Sequence, residues 1–164
     1  MDLDKIEFLK GKIRQLEYSL GWEFGLQTEC CGVTLSQRLV LLEIGKREKV
    51  TLIELSKSLG LDSSTLSRTI NGMVNIGLVN RILNPEDRRY VLITLTQQGR
   101  AVYHRIQKMS TQYFSDILRH IPKEKQSEVI DAFALLADAI REHNESKIKI
   151  SKVNKNGESN DKEK

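Results

Sequence analysis

The sequence predicts a mainly α-helical chain with a small β-wing: a winged helix-turn-helix flanked by N- and C-terminal dimerisation helices. Three observations carry this expectation. Apolar residues recur at spacings of three and four along most of the chain, the signature of amphipathic helices. Between Thr51 and Asn75 two short helical patterns are separated by a turn at Gly60. Directly after them, Val79, Arg81 and Leu83 alternate, as do Val91, Ile93 and Leu95. Such a pair of period-two segments around Asn84-Pro85 reads as a hairpin.

The elements follow in order. Ile6, Leu9, Ile13, Leu16 and Leu20 form one stripe of a first helix, expected from about Asp4 to Phe24 and weakened by Gly21 and Gly25. Cys30-Cys31-Gly32 is expected in the loop that follows. Thr34 and Gln37 make a capping-box pattern for a second helix, with Leu35, Leu39, Leu42 and Ile44 as its inner face. Thr51 and Glu54 repeat that pattern at the third helix, whose inward residues are Leu52, Leu55 and Leu59 and whose stop is Gly60. Asp62 or Ser63 caps the fourth helix, which turns Leu66, Ile70, Met73 and Val74 inward. After the hairpin, Val102, Ile106, Met109, Tyr113 and Ile117 mark a long fifth helix. Pro122 suits the first turn of a sixth, with Val129, Ile130, Phe133, Leu136, Ala137 and Ile140 as its buried face.

These elements divide the 164-residue chain into an N-terminal dimerisation helix and loop (1–33), a winged helix-turn-helix DNA-binding domain (34–98), C-terminal dimerisation helices (99–142) and a disordered tail (143–164). The tail assignment rests on composition: beyond His143 the chain is Lys, Asn, Glu, Ser and Asp with few apolar residues. The three outer helices each carry an apolar stripe. Packing those stripes together and against a second copy is the simplest way to bury them, and a two-fold dimer offers two reading heads to two half-sites.

The formal net charge of +4 is compatible with a nucleic-acid partner. No apolar run is long enough to span a bilayer, and the start Met1-Asp2-Leu3-Asp4 lacks an apolar signal core. A cytoplasmic protein without membrane partners is expected. No phosphate-cradling glycine loop, Gly-x-Ser-x-Gly or metalloprotease helix is present, so an enzyme is not expected.

A helix-turn-helix with a basic hairpin beside it has a direct physical use. One helix enters the major groove of duplex DNA and the hairpin reaches the adjacent groove. The candidate contacts on the fourth helix are Ser63, Ser64, Thr65, Ser67, Arg68 and Asn71. A guanidinium at Arg68 has the geometry to grip guanine, Asn71 suits adenine or a phosphate, and short hydroxyls in the first turns suit phosphates or base edges. On the wing the candidates are Asp87, Arg88 and Arg89, the acid orienting an arginine toward a narrow minor groove. The plain alternative is a solvated helix face and a surface ion pair.

The chain resembles the MarR family of transcriptional regulators. The resemblance covers about Leu3 to Glu142 and rests on three segments in order. Leu55-Ser56-Lys57-Ser58-Leu59-Gly60-Leu61 with Ser64-Thr65-Leu66-Ser67-Arg68 is similar to the family's helix-turn-helix. Asn75-Ile76-Gly77-Leu78-Val79 is similar to its helix-to-strand junction. Asp87-Arg88-Arg89-Tyr90 running into Val91-Leu92-Ile93-Thr94-Leu95-Thr96 and Gln97-Gln98-Gly99 resembles its wing signature. The resemblance implies a homodimer on a pseudo-palindromic double-stranded operator, a repressor that lets go when an effector or oxidant arrives. It also implies base contact by Arg68 and minor-groove insertion of Arg89, steadied by Asp87. Zinc-sensing members carry histidine pairs on the fifth helix; here His104 is followed four residues later by Lys108, which departs from that pattern.

Cys30 and Cys31 are the remaining unusual feature. Neighbouring Cα atoms lie about 3.8 Å apart, less than a relaxed disulfide needs. Adjacent thiolates suit a thiophilic ion such as arsenite, copper(I) or zinc, or one thiol suits oxidant sensing; two small buried residues are the bland reading. The metal is left unknown and no resident cofactor is expected beyond such an effector. Trp22 and Phe24 are either cavity liners or core. Two rival functions stand beside the regulator: a winged helix used only for protein contacts, and a cysteine-dependent enzyme built on Cys31. Activation in place of repression is a third.

Overall fold

The computed structural model describes residues 2–85 and 87–157, with the side chains of residues 22, 23, 26–30 and 147–157 left aside. Its elements are α1 (Leu3–Cys31), α2 (Leu35–Arg47), β1 (Lys49–Thr51), α3 (Leu52–Leu59), α4 (Ser63–Asn75), β2 (Val79–Leu83), β3 (Val91–Leu95), α5 (Gln97–Arg119), a 3-10 turn (Lys123–Lys125) and α6 (Gln126–Gly157). The chain divides into two units, Met1–Gln112 and Tyr113–Lys164.

The first unit holds the winged helix. Its sheet is antiparallel in the order β1-β3-β2, with Val79 opposite Leu95, Arg81 opposite Ile93 and Leu83 opposite Val91. Leu41 and Ile44 of α2, Leu55 of α3, Leu66, Ile70 and Met73 of α4 and Ile106 of α5 are fully buried around it. Two close approaches fix the helices. A methyl group on Gly45 would collide with the ring of Tyr103, so α2 and α5 touch with no room for a side chain. One on Gly99 would run into the Leu78 carbonyl, where Thr96 Oγ1 donates to the Gly77 carbonyl (2.7 Å) and accepts from the Gly99 amide (2.9 Å).

Local rules account for the helix ends. Thr34 with Gln37 and Thr51 with Glu54 form complete capping boxes, each satisfying two backbone donors that the first turn leaves unpaired. Gly60 closes α3 at φ 63°, a conformation that costs a glycine little.

Several expectations are corrected. α1 does not stop at Phe24 but runs through Cys31, which puts Cys30 and Cys31 in its last turn rather than in a loop. A glycine inside a helix costs only about 1 kcal/mol and does not break it; the stop comes at Gly32, with φ +66°. α2 turns Arg38, Val40, Leu41 and Ile44 inward, while Leu35 and Leu39 stay half-exposed. This helix carries two apolar stripes, and the buried one includes an arginine. Val74 of α4 is likewise open. Strand β1 was not expected; its three residues are too few to show a period. Pro122 precedes the 3-10 turn and α6 starts at Gln126. The sixth helix also continues to Gly157, so 143–157 is helical backbone where composition suggested none. No proline interrupts that stretch, and Ser146 Oγ bonds back to the Glu142 carbonyl at 2.8 Å.

Within the second unit, Val129, Ile130, Phe133 and Ile140, expected as the buried face of α6, are exposed in the single chain.

Candidate nucleic-acid interface

α4 is held by its apolar face and presents its polar one. Ser64, Arg68 and Asn71, spaced by four and three, are exposed on the side opposite Leu66, Ile70 and Met73. Ser63 is exposed beside them, and Thr65 and Ser67 are half-buried at the edges. The N-terminus of α4 is capped by Asp62, whose Oδ1 accepts from the Thr65 amide (2.8 Å) and from Ser64 Oγ (2.6 Å). Those donors, the Ser64 hydroxyl first, pull the Asp62 carboxyl well below the usual range. Arg68 Nε reaches back to the Ser64 carbonyl at 3.4 Å, and the side chain is exposed.

The Asp87–Arg89 pair organises the described part of the wing tip. Arg89 Nη2 lies 2.7 Å from Asp87 Oδ2 and Arg89 Nε 3.0 Å from Oδ1, a two-pronged contact. The Arg89 backbone amide also donates to Oδ1 at 3.0 Å. Hydrogen bonds from Arg89 lower the Asp87 pKa, and the same pairing raises that of Arg89. The Arg89 side chain is 85% exposed against 31% for Asp87, so the acid anchors an arginine that still faces solvent. Arg88 is exposed. Below the tip the Asn84 amide donates to the Tyr90 carbonyl (2.9 Å) and the Tyr90 amide to the Asp87 carbonyl (3.0 Å). Glu86 lies outside the described residues.

One cation was missed by the sequence reading. Arg81 sits in the strand alternation with Val79 and Leu83, on the helix-facing side of the hairpin. With Ser67, Leu52, Val91 and Ile93 it lines a cleft of about 220 Å³. The cleft joins the edge of α4 to the root of the wing, so Arg81 belongs with the candidate contacts. A charge at an inward position of an alternating strand is the signal that marks it.

The thiol candidates are placed unequally. Cys31 is half-buried at the end of α1 and packs against the core. The Cys30 side chain, like that of Trp22, lies outside the described residues. Cys31 is an electrostatic neighbour of Arg38, whose pKa is pulled down by burial and raised in opposition by that thiol. Arg38 is 5% exposed, with its guanidinium 4.7 Å from the centre of the Phe24 ring and Nη2 donating to Ser110 Oγ at 3.1 Å. Among the described residues no three His, Cys, Asp or Glu side chains are grouped to hold a metal ion, and no helix is long and apolar enough to cross a membrane.

Comparison with known proteins agrees with this geometry. Residues 33–91 match the sequence model of the MarR family. The HTH-type transcriptional regulator YdgJ of Bacillus subtilis is 26% identical over 117 residues, 71% of each chain. The multiple antibiotic resistance protein MarR of Escherichia coli is 39% identical over 70 residues, which span 43% of this chain and about half (49%) of that one. The crystal structure of a MarR family protein from Bacillus stearothermophilus superposes with a TM-score of 0.78 at 18% identity, covering 86% of this chain and 99% of the other. Residues 33–91, which hold most of the winged helix built around α4 and the Asp87–Arg89 hairpin, are thus similar to the MarR family, and the fold is the one seen in a MarR family structure.

Proposed function

We propose that the chain is a homodimeric repressor that binds a pseudo-palindromic DNA operator through α4 and the wing. The observation that carries this reading is the pairing of an outward polar stripe, Ser64, Arg68 and Asn71, with an exposed arginine locked by Asp87. Arg68 suits guanine in the major groove; Arg89 suits the minor groove alongside; Arg88 and Arg81 suit phosphates, as do the hydroxyls of Ser63 and Ser67. Pre-orientation by Asp87 lowers the ordering cost of the Arg89 contact. The exposed apolar face of α6 supports assembly with a second copy; a two-fold operator asks for two α4 helices about 34 Å apart, one turn of duplex.

The decisive measurement is binding of a selected duplex at several salt concentrations. Arg68→Ala is expected to weaken binding about tenfold to hundredfold and to relax the preference at one base pair. Arg89→Ala is expected to weaken it and to flatten the salt dependence by about one ion. Unchanged affinity and salt slope in both variants would leave the alternative of a protein-contact module.

For release, a thiol at Cys31 is the supported trigger, because a cation beside a thiol favours the reactive thiolate and Arg38 is such a neighbour. Peroxide or a thiophilic metal should then lift the wild type off DNA and leave Cys31→Ser bound. Equal release of both proteins would retire this trigger.

A further inference from the structure

We propose that Ser64 determines sequence specificity at the duplex interface: held by Asp62 as a pure hydrogen-bond acceptor, it selects a base that presents an exocyclic amine in the major groove, adenine or cytosine. The inference rests on the duplex-binding reading of α4 and adds to it the identity of one base.

The argument starts from one short contact. Ser64 Oγ lies 2.6 Å from Asp62 Oδ1. A hydroxyl has one proton and two acceptor lone pairs; an ionised carboxylate has no proton to give. Asp62 is ionised at neutral pH, since its pKa lies below the usual carboxylate value. The direction of the bond is therefore fixed, and the only proton of Ser64 points at Asp62. What Ser64 shows to solvent is lone pairs alone.

An unrestrained serine is an indifferent reader, because its hydroxyl turns to donate or accept as the base requires. Asp62 removes that freedom. In the major groove guanine offers N7 and O6, and thymine offers O4, all acceptors; cytosine offers its N4 amine and adenine its N6 amine as donors. An acceptor-only Ser64 pairs with the second group and meets the first with facing lone pairs. The same logic sets Ser64 apart from its neighbours. Phosphate oxygens are acceptors, and a carboxylate beside Ser64 repels them, so Ser64 is unsuited to the backbone contact open to Ser63 and Ser67. Among the described residues neither of those two has a side-chain hydrogen bond.

Position favours a base contact as well. Ser64 is exposed and stands one turn before Arg68, whose Nε is tied to the Ser64 carbonyl at 3.4 Å. The two side chains leave α4 side by side, about 6 Å apart along its axis. The amine-bearing base should therefore lie within about two base steps of the guanine read by Arg68.

The test uses the full chain and a pool of randomised duplexes. The wild type should enrich operators with adenine or cytosine at one position of each half-site. Replacing that base by its analogue without the exocyclic amine should weaken wild-type binding about threefold to tenfold. Ser64→Ala should bind the two duplexes equally. Asp62→Asn keeps a good helix cap, but its amide can donate to Ser64, so thymine or guanine should become acceptable there. A helix-stability effect would instead lower affinity for every duplex alike. Enriched duplexes whose amine is dispensable to the wild type, or a Ser64→Ala protein that keeps the preference, would overturn the assignment of Ser64 alone. If no duplex is enriched, the duplex interface itself fails and this assignment falls with it.

Discussion

α4 and α6 are both amphipathic helices, yet they leave opposite faces open. α4 buries Leu66, Ile70 and Met73 completely and turns Ser64, Arg68 and Asn71 to solvent. α6 keeps Val129, Ile130, Phe133 and Ile140 in solvent. The apolar side of α4 is satisfied by the winged helix, so what it offers is polar and suits a hydrated, charged partner. What α6 offers is apolar, and an exposed stripe of that kind marks a protein contact. The lesson is that the two open faces call for two different partners. Neither helix can be understood from its amphipathicity alone; the deciding fact is which face the rest of the chain has already covered.

Charging the apolar face is the strongest way to break this contrast. If the proposed dimer forms through this face, Phe133→Glu should leave the fold intact and yield monomers in analytical ultracentrifugation. Duplex avidity should fall by about 10²–10⁴, the factor lost when two linked contacts become one. A dimer that survives the change would assign the α6 stripe to another use. Next in size is an attack on the covered side. Gly99→Ala forces a methyl against the Leu78 carbonyl, and backbone cannot step aside as a side-chain tip would. A loss of about 1–3 kcal/mol is expected, read as a lower denaturant midpoint at unchanged slope. On the polar side the effects are smaller. Asp87→Asn should reduce duplex affinity about twofold to fivefold with no change in thermal stability, because the Asp87–Arg89 pair is exposed.

The smallest effect sharpens the comparison through pH. Asp62 has a depressed pKa in the folded chain. The stability it adds is therefore complete above the unfolded aspartate value of about 3.9 and is lost as pH falls below it toward the folded value. Asp62→Ala should melt earlier than the wild type at neutral pH, and the gap should close steadily as pH drops below about 4. A gap independent of pH would mean that the Asp62 charge has no part in holding α4.

The parts of this fold that were legible in the sequence are those fixed by local chemistry. Thr51 with Glu54, Gly60 and Asp62 define α3, the turn and the start of α4 within a dozen residues, and each acts on backbone groups close by. The wing was legible for the same reason, since Asp87 and Arg89 are two residues apart. What was not legible depends on partners far along the chain. The face of α2 was misjudged because the buried stripe contains Arg38, whose burial depends on Phe24 and Ser110. Arg81 was overlooked because its role needs the hairpin register and the position of Ser67 together. The link between Cys31 and Arg38 needs the extension of α1 beyond Gly25, which the modest local cost of glycine could not settle.

The hairpin tip has a further consequence. In sequence it holds two acids, Glu86 and Asp87, and two bases, Arg88 and Arg89, so its formal charges cancel. A neutral tip is not drawn toward a polyanion from afar; long-range capture would fall to cations elsewhere, Arg81 of the same hairpin among them. On the proposed duplex-binding reading, recognition by Arg89 would begin only at contact, after α4 has docked, which would make the tip a late checkpoint that governs residence time more than the rate of arrival.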